Sequence, residues 1–224
     1  MEKKRTGEIL AGLSLALMIV AFVLIYIYVP TEVGMGVVQR IFYIHVPLAW
    51  VSFLAFFVVF VSSVLYLWKR EARWDILAQS SGEVGLVLTT LFLFTGSVWA
   101  KSIWGVWWTW DARLTTSLIL WLMYVAYLMV RSFATDEAQG ARFAAVVGIV
   151  GFLDVPIVAL TIVLWRTQHP TALVFEGGLA PSMLLTLLVC LVFVTVLYLC
   201  LLALRLSLGK AEAEIRMLKR ARGR

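Results

Sequence analysis

The stretch PSMLLTLLVCLVFVTVLYLCLLAL, residues 181 to 204, runs for 24 positions without a charged side chain. An α-helix of ~20 apolar residues crosses a bilayer core about 30 Å thick, so this run is long enough to span one. Five further runs of the same character lie before it, at about 8 to 29, 46 to 68, 76 to 99, 114 to 131 and 143 to 165. They are solid apolar blocks, whereas the strands of a membrane barrel would alternate apolar and polar positions over short segments. Composition agrees: 62% of the 224 residues are hydrophobic, 14% are charged, and mean hydropathy is +0.96. Soluble domains are roughly half apolar and a quarter charged. The expected fold is an all-α membrane protein, a bundle of six transmembrane helices.

Glu2-Lys3-Lys4-Arg5 before an apolar run resembles the start of a secretory signal. The run leads into Tyr26, Tyr28 and Pro30 without a small-residue cleavage pattern, which favours a retained first helix. Basic residues collect on the cytoplasmic side of membrane proteins. With the N-terminus inside, 15 of the 19 Lys and Arg fall inside, and only Arg40, Lys101, Arg113 and Arg166 fall outside. Both termini are therefore expected in the cytoplasm. The chain divides into one six-span domain over residues 1–204 and a basic cytoplasmic tail over 205–224. That tail suits the anionic lipid of the bilayer surface better than nucleic acid, and no nucleic-acid partner is expected. Cys190 and Cys200 share the sixth span at a separation of ~15 Å, too far for a disulfide within one helix. The sequence contains no phosphate-binding loop, no dinucleotide fingerprint and no CxxCH. ATP hydrolysis by the usual P-loop route is excluded.

Function is sought in the outward connections, near 30 to 45, 100 to 113 and 166 to 180. The only two histidines both fall there: His45 in RIFYIHVPLAW and His169 in WRTQHPTALVFEGG. Pro47 suits the first turn of a helix, and Pro170 disfavours a helical conformation at His169. Either histidine alone reads as an interfacial hydrogen-bonding residue. As a pair on one side of the membrane, flanking a tryptophan-rich loop, they read more strongly as functional, and neutral imidazole is a common ligand for heme iron. Tryptophan is common at membrane interfaces, which accounts for Trp50, Trp121 and Trp165. It accounts poorly for Trp99, Trp104, Trp107, Trp108 and Trp110, half of the chain's ten tryptophans. If that segment is helical, Trp104, Trp107, Trp108 and Asp111 share one face and form a stacking platform. Arg113, Lys101, Arg40 or Arg166 could meet the carboxylates of a flat macrocycle lying on it. Heme has this shape.

The segment GSVWAKSIWGVWWTWDARLT resembles the WWD signature of the heme-handling proteins of cytochrome c biogenesis. RIFYIHVPLAW and WRTQHP resemble the two histidine segments flanking that signature in the C component of the cytochrome c maturation system. The resemblance covers all six spans and the order His, WWD, His. It implies a multi-pass protein of the bacterial inner membrane that holds heme b on its periplasmic face, with the WWD segment at 99–115. Axial ligands would be His45 and His169. Implied partners are a membrane-anchored periplasmic heme chaperone, ABC transporter subunits and a small single-span protein. Larger WWD proteins carry additional histidines within their spans, and this chain has none. One departure is Asp154, where the family pattern usually has Asn before Val-Pro.

Three functions from different classes are weighed. The favoured one is heme binding and delivery, without turnover chemistry. A quinol-linked redox protein would want bis-histidine hemes buried in the spans, which this sequence lacks. A solute transporter would show repeats and broken helices around a midplane site, and only Asp154 with Pro156 hints at that. Met35 and Met183 stand as reserve ligands. Asp111 has two open roles, a local cap or salt bridge to Arg113 and partner docking. Glu83 and Asp154 are expected inside the hydrocarbon, facing the bundle interior, where desolvation favours neutral carboxyls. For Asp154 a proton path and a helix-packing contact beside a kink at Pro156 are both open.

Overall fold

The computed structural model describes residues 2–134, 136–165 and 178–222. Helix α1 (Glu2–Val23) continues through a π-helical turn at Leu24–Tyr28, and a 3-10 turn at Val37–Ile41 leads into α2 (Phe42–Lys69). Then follow α3 (Ala72–Trp104), α4 (Ala112–Phe133), α5 (Glu137–Phe152), α6 (Asp154–Leu164) and α7 (Pro181–Arg222). Among the described residues six helical stretches are long and apolar enough to cross a membrane: Gly7–Tyr28, Val37–Lys69, Ala72–Trp104, Ala112–Arg131, Glu137–Thr161 and Pro181–Lys219. They cover the six apolar runs of the sequence. The fifth is interrupted at Leu153, where α5 gives way to α6. Pro156 has no N–H for the carbonyl of Phe152, so the break falls one turn before the proline.

Helices α2 and α3 form the centre of the bundle, with α1 and α7 on one flank and α4 and α5 on the other. Lipid tails are as apolar as leucine, so helix association here depends on close fit and interhelical hydrogen bonds. Both occur at the centre. A Cβ on Gly85 would stand 2.9 Å from Phe56 Cε1, so the absence of a side chain there sets how closely α3 approaches α2. Ser81 Oγ on α3 donates to the Ala55 carbonyl of α2 at 2.8 Å and meets Tyr198 Oη of α7 at 2.9 Å. One hydroxyl thus joins three helices. Phe56 stacks on Tyr124 of α4 with ring centroids 3.5 Å apart.

Three details differ from the sequence reading. Pro47 is inside α2 rather than in its first turn, because the helix begins at Phe42 directly after the 3-10 turn. Helix α7 does not stop at Leu204; it carries the basic stretch on as the same helix to Arg222. Glu83, read as a carboxyl that desolvation favours neutral, has a cation among its partners. It is ion-paired with Arg205 of α7, whose Nη2 donates to Oε1 at 3.0 Å, and it accepts from Gln79 Nε2 at 3.0 Å. Arg131 of α4 pairs with Asp75 of α3 beside the same Gln79. Side chains from α3, α4 and α7 thereby neutralise one another at the end of the bundle opposite Trp104.

Candidate functional site

At the Trp104 end, a cleft opens between the starts of α2 and α4 and the last turns of α3. It holds about 620 Å³ counting its open mouth, and its wall includes Met35, His45, Trp99, Trp104, Trp108, Arg113 and Ser117. His45 lies in the first turn of α2 and is only 5% exposed. Its ring packs against Phe92 at 4.8 Å and against the edge of Trp99 at 5.7 Å, and Nδ1 is 3.1 Å from Thr95 Oγ1. Across from it a Cβ on Gly96 would meet His45 Cε1 at 2.8 Å.

The tryptophan segment is built by two helix ends. Gly105 takes φ +76°, a left-handed conformation that glycine adopts without penalty, and its N–H bonds the Lys101 carbonyl to close α3. Lys101 Nζ reaches the Gly105 carbonyl at 2.7 Å, where a cation suits a helix C-terminus. At the other end Asp111 is the N-cap of α4, accepting from the backbone N–H groups of Arg113 at 2.9 Å and Leu114 at 3.1 Å. Thr109 Oγ1 donates to its second oxygen at 2.7 Å. Between the two ends the chain is not helical, and Trp110 sits at φ +55°.

This overturns the single-face platform. Trp104 ends α3, so the helical spacing that would align it with Trp107, Trp108 and Asp111 is broken at Gly105. Trp99, Trp104 and Trp108 line the cleft, whereas Trp107 is 59% and Trp110 70% exposed, Trp110 standing edge-on to Trp108 at 5.9 Å. Arg113 is on the cleft wall. Arg40 is not: its guanidinium lies over the Tyr26 ring at 5.7 Å. His169 and Arg166 lie outside the described residues. Met35 joins the wall through a tight turn in which its N–H donates to the Glu32 carboxylate. That bond, with those of Gly34 and Val33, holds the Glu32 carboxyl below its usual range. Of the reserve ligands only Met35 lines the cleft; Met183 packs with Tyr43, Leu187 and Cys190.

Sequence reasoning missed Thr95, Gly96 and Ser117. A usable signal was present, since Thr95 and Gly96 precede Trp99 by four and three positions and therefore share its helix face. Several polar groups on the cleft wall are buried without a partner among the described residues: Nε and Nη1 of Arg113, the indole nitrogens of Trp99 and Trp108, and Ser117 Oγ. Buried donors are normally satisfied. This set, on an otherwise apolar wall, suits a ligand with a broad apolar body and an anionic, acceptor-rich edge.

Comparison with known proteins identifies relatives over most of the chain. The family described as heme exporter protein C matches residues 2–221. A heme exporter protein C from Bradyrhizobium diazoefficiens is 35% identical, over 86% of this chain and 75% of its own. One from Haemophilus influenzae is 32% identical, over 94% of this chain and 87% of its own. A third, from Escherichia coli, is 29% identical over 78% and 71% respectively.

Proposed function

Because the chain belongs to the heme exporter protein C family, we propose that it holds heme b in the His45 cleft and delivers it to a membrane-anchored heme chaperone. The cleft is assigned to the periplasmic face of a bacterial inner membrane, with both termini in the cytoplasm. The assigned partners are ABC transporter subunits and a small single-span protein of the cytochrome c maturation system. The task is carriage, with no bond of the cargo made or broken by the protein's own groups.

The observation that carries this reading is one cleft that combines a buried imidazole, three indoles and an arginine with unpartnered N–H groups. When bound, heme supplies an iron that accepts an imidazole lone pair and two carboxylates that accept hydrogen bonds. His45 is placed to ligate from a rigid helix turn. Arg113 offers buried N–H donors on Nε and Nη1 that a carboxylate would satisfy. Trp99, Trp104 and Trp108 supply flat apolar surface and exclude water from it. The open mouth lets cargo leave sideways. His169 would hold the iron as its second protein ligand.

The test is the absorption spectrum of the purified protein after heme loading. A low-spin, six-coordinate Soret band is expected, and His45→Ala should abolish it or convert it to a high-spin form. An unchanged spectrum in that variant would remove His45 from the site, and no Soret band at all would favour a transporter of another solute.

A further inference from the structure

Resting on His45 as an iron ligand, we propose that Thr95 selects the tautomer of His45, fixing the proton on Nδ1 and so placing the lone pair on Nε2, the nitrogen that would ligate iron. Thr95 lies on α3, a different helix from His45, and its hydroxyl has a single proton to give. Thr95 Oγ1 is 2.8 Å from the Leu91 carbonyl, 3.1 Å from the Phe92 carbonyl and 3.1 Å from His45 Nδ1. The shortest separation has the length of an O–H···O bond and the one to nitrogen that of N–H···O. With its proton committed to Leu91, the hydroxyl turns lone pairs toward the ring. Nδ1 must then be the donor.

The packing keeps the ring in that orientation. Phe92 covers it at 4.8 Å, the Trp99 edge meets it at 5.7 Å, and Cε1 occupies space where any side chain at position 96 would stand. A half-turn about the ring axis would set a carbon against Thr95 Oγ1 and forfeit the bond. Metal-bound histidines gain orientation and basicity by donating their other N–H to an oxygen, and loss of that partner typically costs ~10–100-fold in metal affinity. Here the oxygen is a neutral hydroxyl, which supports ligation without the strong electron donation that a carboxylate partner would give. Such a bond holds cargo that must later be released.

The chain's two histidines make the test direct. Full-length protein carrying His169→Ala, labelled with ¹⁵N-histidine and free of heme, reports His45 alone, at a pH where the ring is neutral. The expected spectrum has Nδ1 in the protonated range and Nε2 in the lone-pair range. Thr95→Val, close in shape but without the hydroxyl, should give averaged shifts from a tautomer mixture, and Thr95→Ser should restore the original pattern. A proton found on Nε2 in the parent, or a Thr95→Val spectrum identical to it, would overturn the assignment. A second readout uses heme-loaded protein with His169 intact. Thr95→Val should retain heme about 10-fold less tightly and raise its midpoint potential, because a less basic imidazole favours ferrous iron, while Thr95→Ser matches the parent. The ligand assignment fails separately: a low-spin spectrum that survives His45→Ala would refute iron ligation whatever the nitrogen shifts report.

Discussion

At the scale of single residues, the tryptophans divide into two groups that the sequence presents as one. Trp108 lines the cleft and Trp107 does not, so replacing each by Leu should separate them. Loss of an aromatic stacking contact costs about 0.5–1.5 kcal/mol beyond the area buried, and 1.4 kcal/mol is tenfold in affinity. Trp108→Leu should therefore weaken heme retention several-fold, up to about tenfold. Trp107→Leu should leave it within error, and a competitive binding titration would show either. Equal losses would mean that both rings touch the cargo. The clustering of aromatics was legible from sequence, as were His45 and Arg113. Their arrangement was not, because the helix-face pattern assumes a helix that Gly105 ends. Gly105 is itself a readable stop signal, and Asp111 a readable start. Thr95 stayed hidden for another reason: a hydroxyl in an apolar span bonds its own helix, and nothing in the sequence records which side chain from another helix it also meets.

At the scale of elements, the cleft depends on how α3 ends and α4 begins. Asp111 satisfies two backbone N–H groups at the start of α4 and orders Thr109 as well. Asp111→Ala should cost about 1 kcal/mol of local stability and disorder the segment carrying Trp108. Asp111→Asn, which keeps an accepting oxygen, should cost less. Hydrogen exchange at Arg113 and Leu114 reads this directly, and slow exchange in the Ala variant would contradict the cap. The α2–α3 contact is the second determinant, because it brings Thr95 and Gly96 to His45. Gly85→Val places atoms where Phe56 already stands, an overpacking of roughly 1–3 kcal/mol. A matching fall in the melting temperature of the detergent-solubilised protein is expected, and an unchanged melting temperature would mean that α3 can shift without cost. The break before Pro156 was legible because proline's missing donor is a local fact. The pairing of Glu83 with Arg205 was not, since it joins positions 122 residues apart.

At the scale of the whole molecule, polarity is segregated to opposite ends: the cleft with Arg113 at one, the interlocked Asp75–Arg131 and Glu83–Arg205 pairs at the other. In the proposed orientation the paired end, with its excess of basic residues, is the cytoplasmic one. Val106→Cys should react with an impermeant thiol reagent from the periplasmic side and Lys210→Cys only from the cytoplasmic side. Reversed labelling would move the cleft to the other face of the membrane. The six spans and their order could be read from apolar run lengths alone, whereas the seamless passage of α7 beyond the membrane could not, since propensity does not reveal whether a helix stops at the interface. That passage has a mechanical consequence. At 1.5 Å per residue the 42 residues of α7 extend about 63 Å, roughly twice the thickness of the hydrocarbon core. Its first turns pack in the cluster that holds Tyr43, two positions before His45, and its last residues are mostly exposed. Because the basic stretch is helical, the tail is a stiff arm of fixed reach, which a loose chain of the same length is not.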